Sequence, residues 1–227
     1  MSKCPFNNGD WILFQGDSIT DCGRREINGS SKLGNGYVSI LRGFMSQRWP
    51  DKKIDVLNRG VAGDRTVDML ARWERDCVGL QAEWLSIMVG CNDVWRKRLQ
   101  WMGQSYVPLP DYIANYRSLL DQALRAGYKR FVLMSPTTID EDLNSDLNKM
   151  LVDYGDAVKE LAREYSAIYV PAREALHAAI RATPEVKWTT DGCHPTVAGH
   201  GVIASAWLNA VSGSSPSALA GEGRGEG

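Results

Sequence analysis

The chain has no surplus of charge. Its 26 Lys and Arg stand against 27 Asp and Glu, a formal net charge of -1 over 227 residues. That removes the general electrostatic case for a nucleic-acid partner or an acidic membrane surface. No apolar run approaches the length of a membrane span. The first residues, Met1 to Gly9, lack the apolar core of a secretory signal. The reading is a cytoplasmic protein with no membrane partner. Cysteine is scarce: Cys4, Cys22, Cys77, Cys91 and Cys193 are odd in number, widely spaced and never arranged as Cys-x-x-Cys. This argues against a disulfide framework and against a structural zinc site. Histidine is scarcer still, with His177, His194 and His200 only, so no cluster points to a catalytic metal. Gly-x-Ser-x-Gly is missing, and with it the elbow of the α/β-hydrolases. No Walker loop and no Gly-x-Gly-x-x-Gly opening a helix occurs, so no cofactor is expected.

What the chain does have is alternation. With 44% hydrophobic and 23% charged residues it can bury an ordinary core. Short apolar runs read as strands: Trp11 to Gln15, Lys53 to Asn58, Trp84 to Val89, Arg130 to Met134 and Ala167 to Val170. Helical patterns lie between them, from about Tyr37 to Arg48, from Thr66, from Asp111 to Ala126, from Leu147 to Tyr165, from Ala172 to Ala182 and from Thr196 to Val211. Asp64 or Thr66 is expected to cap the second of these. Strands separated by helices imply a parallel sheet with right-handed crossovers, a single-domain α/β fold of three layers over residues 1–211. From Ser212 to Gly227 the composition collapses to Ser, Gly, Ala, Pro and Glu, a tail expected to be disordered. The acidic run from Asp140 to Asp146 reads as a solvated loop rather than a metal site.

Four strand-end or pre-helix stretches carry candidate chemistry. After the first strand comes Gly16-Asp17-Ser18-Ile19, where the chain turns at a glycine and leaves a serine at the carboxyl end of a strand. Ser18 or Thr20 could instead simply cap the following helix. Before the last helix comes Asp191-Gly192-Cys193-His194-Pro195, and a carboxylate three residues before a histidine can fold back onto its Nδ1. Asp191 could equally stabilise only the turn. His194 could then take a proton from Ser18 as it attacks. The glycines of Asn58-Arg59-Gly60-Val61-Ala62-Gly63 can turn a backbone N–H into a site, and Asn92 in Gly90-Cys91-Asn92-Asp93 can offer an amide. Plain turn chemistry and a helix cap are the alternatives there. Cys91 and Cys193 read as small buried side chains, with a cysteine nucleophile as the competing possibility. His177, among alanines, reads as structural or exposed.

Taken in order, Gly16-Asp17-Ser18-Ile19, Asn58-x-Gly60-x-x-Gly63, Gly90-x-Asn92-Asp93 and Asp191-x-x-His194-Pro195 resemble the four motif blocks of the SGNH, or GDSL, hydrolases. The likeness spans residues 11 to 208. It implies a flavodoxin-like sheet, Ser18 as nucleophile, His194 as base and Asp191 as its orienter. It also implies an oxyanion hole from the backbone N–H groups of Ser18 and Gly63 and the side chain of Asn92. Asp17 is implied to be a local support only. A narrower likeness rests on Ser18 to Arg24, Leu33 to Val38, Asn92 to Arg96 and Ala198-Gly199-His200. These resemble the intracellular acetylxylan esterases, which deacetylate xylo-oligosaccharides and form homo-oligomers.

The expected activity is therefore serine ester hydrolysis through an acyl-enzyme, with acetyl on a carbohydrate as the preferred substrate. Trp95, Trp101, Tyr106 and Trp188 are candidates for a pocket wall or sugar platform, against core or oligomer contacts. Two alternatives stand beside this reading: a lysophospholipase or acyl-thioesterase with a longer acyl pocket, and a non-catalytic carbohydrate-binding protein on the same fold.

Overall fold

β1 (Trp11–Gly16) is an inner strand of the sheet, buried from Ile12 onward. It pairs in parallel with β2 (Asp55–Asn58) on one side and with β3 (Trp84–Met88) on the other. β4 (Arg130–Met134) and β5 (Ile168–Val170) extend the sheet beyond β3, all parallel. The order β2-β1-β3-β4-β5 is one of the two common orders of doubly wound sheets, and the one expected of a flavodoxin-like sheet. The computed structural model describes residues 4–25, 32–98 and 103–213. The expected tail, apart from Ser212 and Gly213, and Trp101 lie outside the described residues.

Helices cover both faces. After α1 (Ser18–Asp21), α2 (Tyr37–Arg48) packs on α8 (Val197–Val211), which also packs on α7 (Ala172–Ala182). On the other face α3 (Thr66–Asp76) packs on α5 (Leu109–Arg125), and α5 on α6 (Asp146–Glu164). Between β3 and α5 stands a short helix, α4 (Cys91–Trp95). β3 is buried at every residue, as a strand covered on both faces must be. Each helical layer holds a buried tryptophan whose indole N–H finds an acceptor, as a buried indole requires. Trp207 donates to Ser86 Oγ at 3.0 Å and packs against Phe6 and Phe14. Trp73 donates to the Leu119 carbonyl at 3.0 Å, tying α3 to α5.

Register decides where the site falls. Gly16 pairs with Met88, and Met88 with Met134, so these strands end at one level. The chain leaves β1 for β2 on one side and later fills β3 on the other. The loops after β1, β2 and β3 therefore stand side by side at this reversal, the place where open α/β sheets bind ligands. Gly16 is there because nothing larger fits: a Cβ would meet the Met88 carbonyl at 2.2 Å and Thr20 Oγ1 at 2.5 Å.

Two local expectations are corrected. Neither Asp64 nor Thr66 is the N-cap of α3; Arg65 occupies that position, with its N–H bonded to Asp68. The cap comes from a distant residue: Asp93 accepts from Thr66 N at 3.0 Å and from Thr66 Oγ1 at 2.6 Å. A carboxylate at a helix N-terminus satisfies orphan donors and complements the dipole. The aperiodic stretch after residue 93 also holds the end of α4, and α5 begins two residues early with Pro110 in its first turn.

Candidate active site

The short helix α1 starts at Ser18 because Asp17 caps it, its Oδ1 accepting from Ile19 N at 3.0 Å. Ser18 Oγ lies 2.8 Å from His194 Nε2, across 176 positions of sequence. His194 Nδ1 lies 2.7 Å from Asp191 Oδ2. A carboxylate can only accept, so Nδ1 carries the proton, and in the neutral ring Nε2 is then the acceptor for the Ser18 hydroxyl. The loop that presents His194 is held by Asp191 itself, whose Oδ1 accepts from Cys193 N at 3.0 Å and His194 N at 2.8 Å. Partial burial pushes the Asp191 carboxyl up, but these N–H donors and the imidazole outweigh it and hold the group below the ordinary carboxylate range. Glu141 pins the base of the loop, accepting from Thr189 N and Oγ1 at 2.7 and 2.6 Å.

Opposite the hydroxyl, a cleft of about 230 Å³ is lined by Ser18, Ala62, Gly63, Asn92, Trp95, Arg96 and His194. Gly63 has φ +86°, a left-handed conformation that glycine adopts without strain. Among the described residues, neither the Ser18 nor the Gly63 backbone N–H has an acceptor. Asn92 Nδ2 donates one hydrogen to the Asp64 carbonyl at 3.1 Å, which leaves its second N–H for another acceptor. Asn58 shapes the loop after β2: its Nδ2 reaches the Thr20 and Leu33 carbonyls, and its Oδ1 accepts from Gly60 N. The structure thus brings Ser18, His194, Asp191, Gly63 and Asn92 together.

The predicted aromatics divide. Trp95 lines the cleft, its ring centroid 6.0 Å from that of His194. Trp188 does not line it; its indole donates to the Thr183 carbonyl, and its own carbonyl accepts from Thr196 N just before α8. Tyr106 stacks under the Lys97 ammonium, away from the cleft lining. Ala62 and Arg96 line the cleft and were not singled out as site residues from the sequence; Arg96 had a signal, following directly on Asn92-Asp93-Val94-Trp95. Cys91 and Cys193 are both buried. The contact with Cys91, together with burial, pushes the Cys193 thiol well up, and a protonated thiol is a poor nucleophile. His177 is buried, and desolvation lowers it to about 4. No group of three His, Cys, Asp or Glu among the described residues is placed to hold a metal ion, and no helix among them is long and apolar enough to cross a membrane.

Asp17 is a buried acid directly before Ser18. Burial raises its carboxyl to about 7, against the opposing Ile19 N–H. A raised carboxyl means that the folded protein keeps a proton that the unfolded chain releases from about pH 4 upward. Stability contributed at Asp17 is therefore full at low pH and is lost as pH rises towards 7. Asp17→Asn keeps an acceptor for Ile19 N and never ionises. The variant should gain on the wild type between pH 4 and pH 8, by on the order of 4 kcal/mol. Chemical denaturation of both proteins at the two pH values measures this; a constant difference would contradict it.

Comparison with known proteins agrees with the geometry. The chain matches the GDSL-like lipase/acylhydrolase family over residues 14–202. It is 35% identical over 208 residues to an acetylxylan esterase of Geobacillus stearothermophilus, covering 90% of this chain and 94% of that one. The crystal structure of Axe2, an acetylxylan esterase from the same organism, superposes with a TM-score of 0.82 at 35% identity over 90% of this chain and 95% of the other. Catalytic mutants of Axe2 carry alanine in place of a serine, an aspartate or a histidine. LAE5, an alpha/beta hydrolase enzyme from the metagenome of Lake Arreo, superposes with a TM-score of 0.83 at 30% identity over 92% of this chain and 98% of the other. On its motifs, its sheet and these matches, the chain belongs to the GDSL-like lipase/acylhydrolase family.

Proposed function

We propose that the protein is a serine carboxylic ester hydrolase that removes acetyl groups from acetylated xylo-oligosaccharides. The observation that carries the chemistry is the unbroken line from Ser18 Oγ through His194 to Asp191, at 2.8 and 2.7 Å. Ser18 attacks the ester carbonyl and His194 takes its proton. The carbonyl oxygen becomes an oxyanion that Ser18 N–H, Gly63 N–H and Asn92 Nδ2 receive. His194 returns the proton to the leaving alcohol, and water repeats the cycle on the acetyl-enzyme. Asp191 holds the tautomer and stabilises the imidazolium. The sugar comes from the acetylxylan esterase relatives. The small acyl group is supported by a cleft of about 230 Å³, below the roughly 300–1,000 Å³ of pockets that enclose drug-sized ligands.

Hydrolysis of acetylated xylo-oligosaccharides, beside nitrophenyl esters of increasing chain length, tests this reading. Release of acetate from the sugar and a steep preference for the shortest ester are expected; preference for long acyl chains would overturn it. Trp95 forms the wall that limits the acyl group in this account. Trp95→Ala should raise the butyrate-to-acetate ratio of kcat/KM about tenfold, within the range one or two methylenes are worth in a pocket. Trp101 and Trp188 stay in the proposal as candidates for sugar contacts. Assembly as a homo-oligomer and an intracellular location belong to the same reading, supported by the resemblance to intracellular acetylxylan esterases. Sedimentation equilibrium and cell fractionation test these two points.

A further inference from the structure

Behind the cleft, one buried guanidinium ties together the segments that carry all three proposed oxyanion donors. Arg72 projects from α3 with its side chain only 9% exposed. Its Nε donates to Asp64 Oδ2 at 2.6 Å. Its Nη1 donates to Gln15 Oε1 at 2.9 Å and to Asp76 Oδ2 at 3.4 Å, and its Nη2 to the Gly16 carbonyl at 3.3 Å. Gln15 is held in turn, its Nε2 donating to the Asp76 carbonyl at 2.5 Å.

Two of these contacts, to Gly16 and to Asp64, lead to the donors. Gly16 is the last residue of β1, and Ser18 follows two residues later. The same Gly16 carbonyl also accepts from Val61 N at 3.0 Å, joining β1 to the turn that carries Gly63. Asp64 directly follows Gly63, and its carbonyl is the acceptor that orients Asn92. Burial pushes the Asp64 carboxyl up on balance, and the charge and hydrogen bond of Arg72 oppose that rise. Arg72 itself does not line the cleft.

We infer that Arg72 is a positioning residue of the oxyanion hole: its planar fork sets the spacing between the end of β1 and the Gly63-Asp64 turn, and through Asp64 the direction of Asn92. The inference rests on the hydrolase reading above. A lysine would keep the charge, but as a point ammonium it lacks the rigid fork that reaches Asp64, Gln15 and Gly16 at once. Displacing preorganised donors raises the transition state without touching ground-state contacts, so the effect falls on kcat.

The test is a double-mutant cycle on nitrophenyl acetate hydrolysis with Arg72→Lys and Asn92→Ala, with melting temperatures recorded alongside. Asn92→Ala alone is expected to lower kcat about 10²–10³-fold. Arg72→Lys alone is expected to lower kcat roughly 10–100-fold with KM within about threefold, as for a catalytic group displaced by around an ångström. In the Asn92→Ala background, Arg72→Lys should cost less than a third of that factor, because one donor it positions is gone. The same cost in both backgrounds, or an effect confined to KM, would overturn the inference and leave the oxyanion hole standing. An Asn92→Ala variant with unchanged kcat would overturn both. Should Arg72→Lys fail to fold, Asp64→Asn in the same cycle decides: it weakens the clamp from the other side, and full additivity with Asn92→Ala would again refute it.

Discussion

Ser18→Ala is expected to lower kcat/KM for nitrophenyl acetate by a factor on the order of 10⁴–10⁶, the loss seen when one member of a serine triad is removed. The remainder is what the oxyanion donors and binding alone supply. Folding should be nearly untouched. The recorded partner of the Ser18 hydroxyl is His194, whereas α1 is held by Asp17 at its start and by the Thr20 bond to Tyr37 at 3.0 Å. The melting temperature should therefore stay within a few degrees of the wild type. A variant retaining a tenth or more of wild-type activity would remove Ser18 as nucleophile. It would redirect attention to Cys91 and Cys193, and thiol alkylation would then have to abolish the activity.

Asp191→Asn is expected to cost roughly 10²–10⁴ in kcat with little change in KM. The amide has nearly the shape of the carboxylate, so its oxygen can still accept from Cys193 N and His194 N as Asp191 Oδ1 does. The atom replacing Oδ2 becomes a donor facing Nδ1 at 2.7 Å. The ring must then move its proton to Nε2, and a protonated Nε2 cannot accept from Ser18. The same substitution costs about 10⁴ in the chymotrypsin triad by this route. The range is wider here because the Asp191 side chain is 47% exposed, and water can partly replace it. The net lowering of the Asp191 carboxyl has a consequence for pH: the acid keeps its charge to lower pH than an ordinary carboxylate does. The wild-type pH profile should therefore lack a separate step from Asp191 at or above the ordinary carboxylate range. A variant that loses KM and keeps kcat would contradict the orienting role.

Contributions confined to short windows were legible in the sequence. Trp11 to Gln15 and Trp84 to Val89 are apolar enough to be read as covered strands, and Asp191 is near enough to His194 for a turn to join them. The grouping of Ser18, Gly63, Asn92 and His194 depends on the order of strands, which no local pattern encodes; the ordered motif blocks carried it instead. What stayed hidden is long-range polar pairing. The cap of α3 comes from Asp93, 27 residues from Thr66, and Arg72 reaches back 56 residues to Gly16. A buried arginine on an amphipathic helix looks, in sequence, like a solvated one. The aromatics were ambiguous for a related reason: side-chain type says that Trp95 and Trp188 each need cover and an indole acceptor, but not which loop supplies them.

The most direct test of the account is to acid-quench the enzyme during turnover of acetylated xylo-oligosaccharide and locate any acetyl group by peptide mass spectrometry. The account predicts a single acetyl ester on Ser18, absent in Ser18→Ala. Acetyl on Cys91, Cys193 or any other side chain, or sustained turnover with no acetyl-enzyme at any quench time, would contradict it.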